Sequence, residues 1–137
     1  MADLFDEIVY TDEDVIHFEN GIPGFEGHKD FIILNVPGYE PFEWLISTKT
    51  TKLRFAVINP LLFKADYNPS ITKEHIEGLQ LAKPEDVIMY AIVTISKVAS
   101  ETTANLMGPV IINKTQRLGK QIILEDGRYS LKERILK

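Results

Sequence analysis

The sequence predicts a mainly β fold: a small antiparallel β-barrel-like single domain with one short helix. Three observations carry that expectation. Apolar residues recur at every second position in several short runs, the period at which one face of a strand is buried. Gly, Pro, Asn and Asp interrupt the chain at short intervals, as they do between strands joined by tight turns. Only one segment has convincing start and stop signals for a helix. Seven or eight short strands favour an antiparallel barrel or sandwich. The alternative is an α+β sheet with the helix packed over one face. Residues 1–137 read as one domain, with an ordered core from about 8 to 130.

The first strand is expected over Val15–Glu19, with a short piece before it at Ile8–Tyr10. A turn-rich segment, Asn20-Gly21-Ile22-Pro23-Gly24-Phe25, follows. Phe31–Asn35 is the next strand and stops at Pro37-Gly38. Phe42–Ser47 sets Phe42, Trp44 and Ile46 on one face, and Leu53–Ile58 does the same with Leu53, Phe55 and Val57. The helix is expected after Thr72, whose hydroxyl can cap the first turn, and should close at Gly78. Pro84-Glu85-Asp86 gives one further helical turn or a tight bend. Val87–Ser96 is apolar on both faces over most of its length, the mark of a central strand covered on both sides; the alternative is a second face exposed to a partner. Ala104–Pro109 is an irregular approach to a strand at Val110–Asn113. The chain turns at Lys114–Arg117 and returns through Lys120–Leu124, ending at Glu125-Asp126-Gly127. The tail from Tyr129 has no clear period.

A chain of this length can bury roughly two-thirds of its unfolded surface and needs no covalent staple. The absence of cysteine excludes disulfides, thiolate metal sites and cysteine nucleophiles, and fits a reducing compartment. The acidic start lacks the basic and then apolar pattern of a secretory signal, and no apolar run is long enough for a membrane helix. A cytoplasmic monomer is the expectation. The formal charge is −5, but residues 1–30 hold nine acids and one base. Such asymmetry steers a basic partner if the acids share a surface, and merely solvates a loose strand if they do not.

No arrangement of residues points to catalysis, and no cofactor is expected. His17-x-Glu19, His28-x-Asp30 and His75-x-Glu77 each offer two metal ligands, too few for a site. Gly21-Ile22-Pro23-Gly24 opens no helix, and Pro23 removes one N–H from any phosphate cradle. No serine sits in a nucleophile elbow. A nucleic-acid-binding β-barrel is the alternative function, but the aromatic strands hold few basic residues; a second alternative is an enzyme using a barrel cavity, which requires a deep pocket with converging polar groups.

Three segments together resemble the flagellar assembly factor FliW family. They are Ile16-x-Phe18-x-x-Gly21-Ile22-Pro23-Gly24-Phe25-Glu26; Asn59-Pro60 with Phe63 and Asp66-Tyr67; and a long stretch from Asp86. That stretch includes Ile92-Val93-Thr94, Thr103-x-Asn105-Leu106, Pro109–Asn113, Arg117-x-Gly119-x-Gln121 and Tyr129. Gly108 and Ala65 stand where the family more often has alanine and proline. The resemblance implies a small antiparallel β-barrel-like domain without enzymatic activity. It also implies two cytoplasmic partners bound one at a time: the translational regulator CsrA and flagellin. While flagellin is exported, such a protein holds CsrA off the flagellin message; accumulated flagellin captures it and releases CsrA. An RNA-binding regulator should offer basic surface, and Glu19, Glu26 and Asp30 are the expected complement. Phe25, Tyr67, Asn105 and Leu106 are candidates for an apolar groove that receives flagellin, or are loop residues packed under their own turns. Asp66, Asn113, Arg117 and Gln121 are further family-matching polar positions; the last three either fix a hairpin or form part of a contact surface.

Overall fold

The computed structural model describes Phe5, residues 8–125 and residues 127–136. Four acids used above, Asp3, Asp6, Glu7 and Asp126, lie outside the described residues. Among the described residues, nine strands form one sheet: β1 (Ile16–Phe18), β2 (Asp30–Leu34), β3 (Glu43–Ser47), β4 (Arg54–Ile58), β5 (Val87–Thr94), β6 (Thr103–Ala104), β7 (Val110–Asn113), β8 (Leu118–Gln121) and β9 (Glu133–Arg134). The order β4-β3-β2-β1-β8-β7-β5 closes on itself because β5 also pairs with β4. β6 and β9 continue outward from β5.

The closed ring has seven strands. An odd ring cannot alternate direction throughout, so one neighbouring pair must run parallel. That pair is β1 and β8, with His17 opposite Leu118 and Phe18 opposite Gly119. The other ladders are antiparallel.

Alternation of side chains gives the barrel an inside and an outside. Ile16, Phe18, Phe31, Leu45, Val57, Tyr90, Val110 and Ile112 fill the interior, with Ile22 packed among them. Phe18 meets Phe31 edge-on at 5.3 Å between ring centroids. Loops cover three outer patches. Phe5, Ile8 and Val15 lie over Ile32 and Ile46. Tyr67, Phe63 and Tyr129 lie over Ala56, Ala91 and Ala104. Leu79 and Ile76 lie over Ile111 and Ile122. Double coverage explains why β7 is buried at all four positions, and why β5 reads as apolar on both faces.

On β5, the three steps from Tyr90 to Val93 face six steps from Val110 back to Ala104. Three residues are therefore extra, and the chain bulges between β6 and β7. Asn105 organises the bulge: its Oδ1 accepts from Met107 N at 3.0 Å and Gly108 N at 2.9 Å.

Several elements differ from the sequence expectation. No α-helix forms over Thr72–Gly78; residues 73–78 are a run of turns. The caps work as expected, since Thr72 Oγ1 accepts from His75 N and Gly78 takes φ +88°. The segment between them is too short to propagate a helix, and its bonds span three residues, as in Leu79 N to Ile76 O. β8 begins earlier than expected, at Leu118, and its register is set by pairing with β1. Ile8–Tyr10 forms no strand. β6 and β9 are two residues each, below the length at which alternation is visible. No helix among the described residues is long and apolar enough to cross a membrane.

Candidate functional site

A concavity lies where β1 leaves the sheet. After Phe18 the chain folds back, with Gly21 N donating to Phe18 O at 2.9 Å. Gly21 has φ +67°, and a Cβ there would stand 2.8 Å from Glu26 Cα, so no side chain fits. This tight loop lets Ile22 plug the end of the barrel and sets Phe25 edge-on against Phe55 at 5.4 Å. Gly119 on β8 is equally constrained. A Cβ there would meet the Phe18 ring at 2.5 Å.

One bank of the concavity is acidic. His17 on β1 sits between two carboxylates, with Nδ1 2.8 Å from Asp30 Oδ1 and Nε2 3.2 Å from Glu19 Oε2. Asp30 is its register partner on β2. The Asp30 hydrogen bond raises the His17 pKa, partial burial opposes it, and Glu19 adds to the rise. The Glu26 carboxylate accepts from Gly24 N at 3.1 Å; its own backbone N–H and that of Gly24 hold it below the usual range.

The opposite bank is the turn at 74–80. Asn113 on β7 pins it, donating from Nδ2 to Leu79 O at 2.8 Å and to Gln80 O at 3.2 Å. Gln80 has φ +54°, a left-handed conformation uncommon outside glycine. Lys120 Nζ reaches the Glu74 and Glu77 carbonyls at 3.3 and 3.5 Å. Between the banks lies a cleft of about 730 Å³, lined by Glu19, Glu26, Glu77, Gln80, Lys120 and Gln121 among others. A second cleft of about 500 Å³ adjoins it through Lys120 and Gln121. Among the described residues, no three His, Asp or Glu side chains converge to hold a metal.

The structure thus gathers Glu19 and Glu26 on one cleft, with Asp30 tied to its edge through His17 and Gln121 on its floor. Phe25 is exposed at the barrel end, 42% accessible. Asp66 is exposed elsewhere, 3.7 Å from Lys64 Nζ. Tyr67, Leu106 and Asn113 are 5%, 0% and 1% accessible, and they hold loops together, one of the two roles expected of them. Tyr67 Oη donates to Leu106 O at 2.7 Å, and its ring meets Tyr129 edge-on at 4.7 Å. Phe25 belongs with Phe55, so it forms no single apolar groove with Tyr67 and Leu106. Asn105 shapes the bulge, and Gln121 Nε2 donates to Gly108 O at 3.0 Å. Arg117, at φ +56° in the β7–β8 turn, donates to Asp14 O at 2.8 Å. Glu77, Gln80 and Lys120 escaped sequence reasoning because no local pattern links the 74–80 turn to β8.

Known proteins resemble this chain along almost its whole length. The family model described as FliW protein matches residues 2–135. The chain belongs to the FliW family. The flagellar assembly factor FliW of Alkaliphilus metalliredigens is 38% identical over 133 residues, covering 96% of this chain and 82% of that protein. Its counterpart from Thermoanaerobacter pseudethanolicus is 41% identical, covering 96% and 89%. The one from Bacillus licheniformis is 39% identical, covering 94% and 90%. A crystal structure of the flagellar assembly factor FliW superposes with a TM-score of 0.89 at 37% identity, covering 95% of this chain and 91% of that one. The FliW resemblance seen in the sequence is therefore shown, and so is the mainly β barrel it implied.

Proposed function

We propose that this chain is a non-enzymatic flagellar assembly factor that acts in the cytoplasm as a monomer, binding a CsrA-type translational regulator and flagellin one at a time. The observation that carries this is the end-to-end FliW match, with relatives named flagellar assembly factors over nearly the same length. The binding of CsrA relieves repression of flagellin translation, and accumulated flagellin reverses it by capturing the factor.

The cleft geometry supports the first half. Glu19, Glu26 and Glu77 present carboxylates around it. Basic surface on an RNA-binding regulator complements that charge, whereas RNA itself would be repelled. The test is co-purification of the tagged full chain from its own cells, followed by competition between the recovered partners. Recovery of a CsrA-type protein and flagellin in mutually exclusive complexes is expected. Recovery of neither would overturn the reading. Association with the regulator should also slow as salt rises; equal rates at low and high salt would remove the acidic cleft from the account.

A further inference from the structure

We propose, resting on the reading above, that the open edge of β8 receives an extended, basic segment of another protein as an added strand, in the place that β1 vacates. The backbone supplies the first reason. On one side, β8 and its continuation bond toward β7: Ile122 N donates to Pro109 O at 2.9 Å and Leu124 N to Met107 O at 2.8 Å. Alternate residues point the other way. Arg117 O accepts from His17 N at 2.9 Å on β1. Beyond Gly119 the β1 ladder ends, because the chain turns away at Glu19. The main-chain groups of Gln121 and Ile123 then face outward, and they have no hydrogen-bond partner among the described residues. Barrels leave few such edges, and an unpaired edge is a template for another strand.

Space and charge identify the occupant. The two clefts meet at Gln121 and follow this edge, from the Glu19 and Glu26 bank toward Ile123, which is 51% accessible. Five carboxylates line the combined groove: Glu19, Glu26 and Glu77 at one end, Glu74 and Glu125 at the other. Lys120 is its one Lys or Arg among the described residues, and its Nζ is turned onto the Glu74 and Glu77 carbonyls. A second copy of this chain would bring five carboxylates against five. The edge is thus protected from self-pairing and open to a strand that alternates Lys or Arg with apolar residues.

The test uses the full chain, labelled with nitrogen-15, and the capped peptide acetyl-Lys-Val-Lys-Val-Lys-amide. Before peptide is added, the Gln121 and Ile123 amides should exchange with solvent at least tenfold faster than those of Ile122 and Leu124; equal protection overturns the open edge. On titration, the Gln121 and Ile123 amides should shift and gain protection. Methylating one alternate set of peptide amides should weaken binding at least tenfold, while methylating the other set is tolerated. The variant Glu19→Gln/Glu77→Gln should bind more weakly and with less salt dependence. No shift at millimolar peptide, shifts confined to the glutamates, or equal loss from both methylated peptides would each refute strand addition. Recovery of both cellular partners alongside any of these would leave the two-partner reading standing and remove only this surface.

Discussion

Asn113 is the residue on which most of the cleft's geometry turns, and replacing it tests the structure directly. Its side chain is buried and makes four hydrogen bonds. Nδ2 donates to the Leu79 and Gln80 carbonyls, and Oδ1 accepts from Thr115 N and Gln116 N, both at 3.1 Å. Each such bond is worth roughly 1 kcal/mol net, and backbone groups left dry cost more. Asn113→Ala should therefore destabilise by about 3–5 kcal/mol. With a urea m-value of about 2 kcal/mol/M, the midpoint falls by about 2 M. Circular dichroism and the fluorescence of Trp44, the one tryptophan, report the transition independently. Asn113→Asp keeps the shape but turns a donor into an acceptor facing two carbonyls. Its ionised form is disfavoured in the fold, so its folded pKa lies above the unfolded value near ~3.9. The sign follows: the variant is closest to the parent below that pH and loses stability as pH rises through its folded pKa. A cost below about 1 kcal/mol for Asn113→Ala, or a pH-independent deficit for Asn113→Asp, would refute the assignment.

Gly119→Ala should cost about 1–3 kcal/mol by overpacking against Phe18, and Phe18→Leu should offset part of it; additive effects in the double variant would count against the clash. Tyr67→Phe removes the buried bond to Leu106 O and should lower stability by about 1–2 kcal/mol in urea unfolding, with no change if that bond is inert. His17 should titrate above its ordinary pKa by NMR, and Asp30→Asn should move it down more than Glu19→Gln does. Its stabilising contribution is complete below the unfolded value and disappears as pH rises through the folded one; as a half-exposed pair it is worth under about 1 kcal/mol.

Strands with several alternating apolar residues were legible in the sequence, because period two survives whatever covers the other face. β1, β2, β3, β4 and β7 fall within a residue of expectation, and β5 ends two residues early, at Thr94. Elements defined by distant partners were not. β6 and β9 exist because Thr103 and Ala104 find Arg134 and Glu133, and two residues carry no period. The 72–78 segment had correct caps but too little chain between them for a helix. At the site, the gathering of Glu19, Glu26 and Asp30 was legible because they flank one turn. The burial of Tyr67, Leu106 and Asn113 was not, because their partners lie 39 residues apart for the first two and 34 for Asn113 with Leu79. Family-matching residues in loops turned out to be loop fasteners as often as surface.

The parallel pairing of β1 with β8 also governs how the chain is made. Arg117 and Asp14, bonded beside that seam, are 103 residues apart. During synthesis β1 to β4 can form a meander early, but the ring cannot shut until Leu118–Gln121 has left the ribosome. Until then β1 is an exposed edge, the state in which nascent sheets mispair. The acids gathered in the first thirty residues flank that waiting strand, and like charge keeps neighbouring nascent chains apart. A chain released before β8 has neither ring nor cleft, so any partner that reads the cleft also distinguishes finished molecules from unfinished ones.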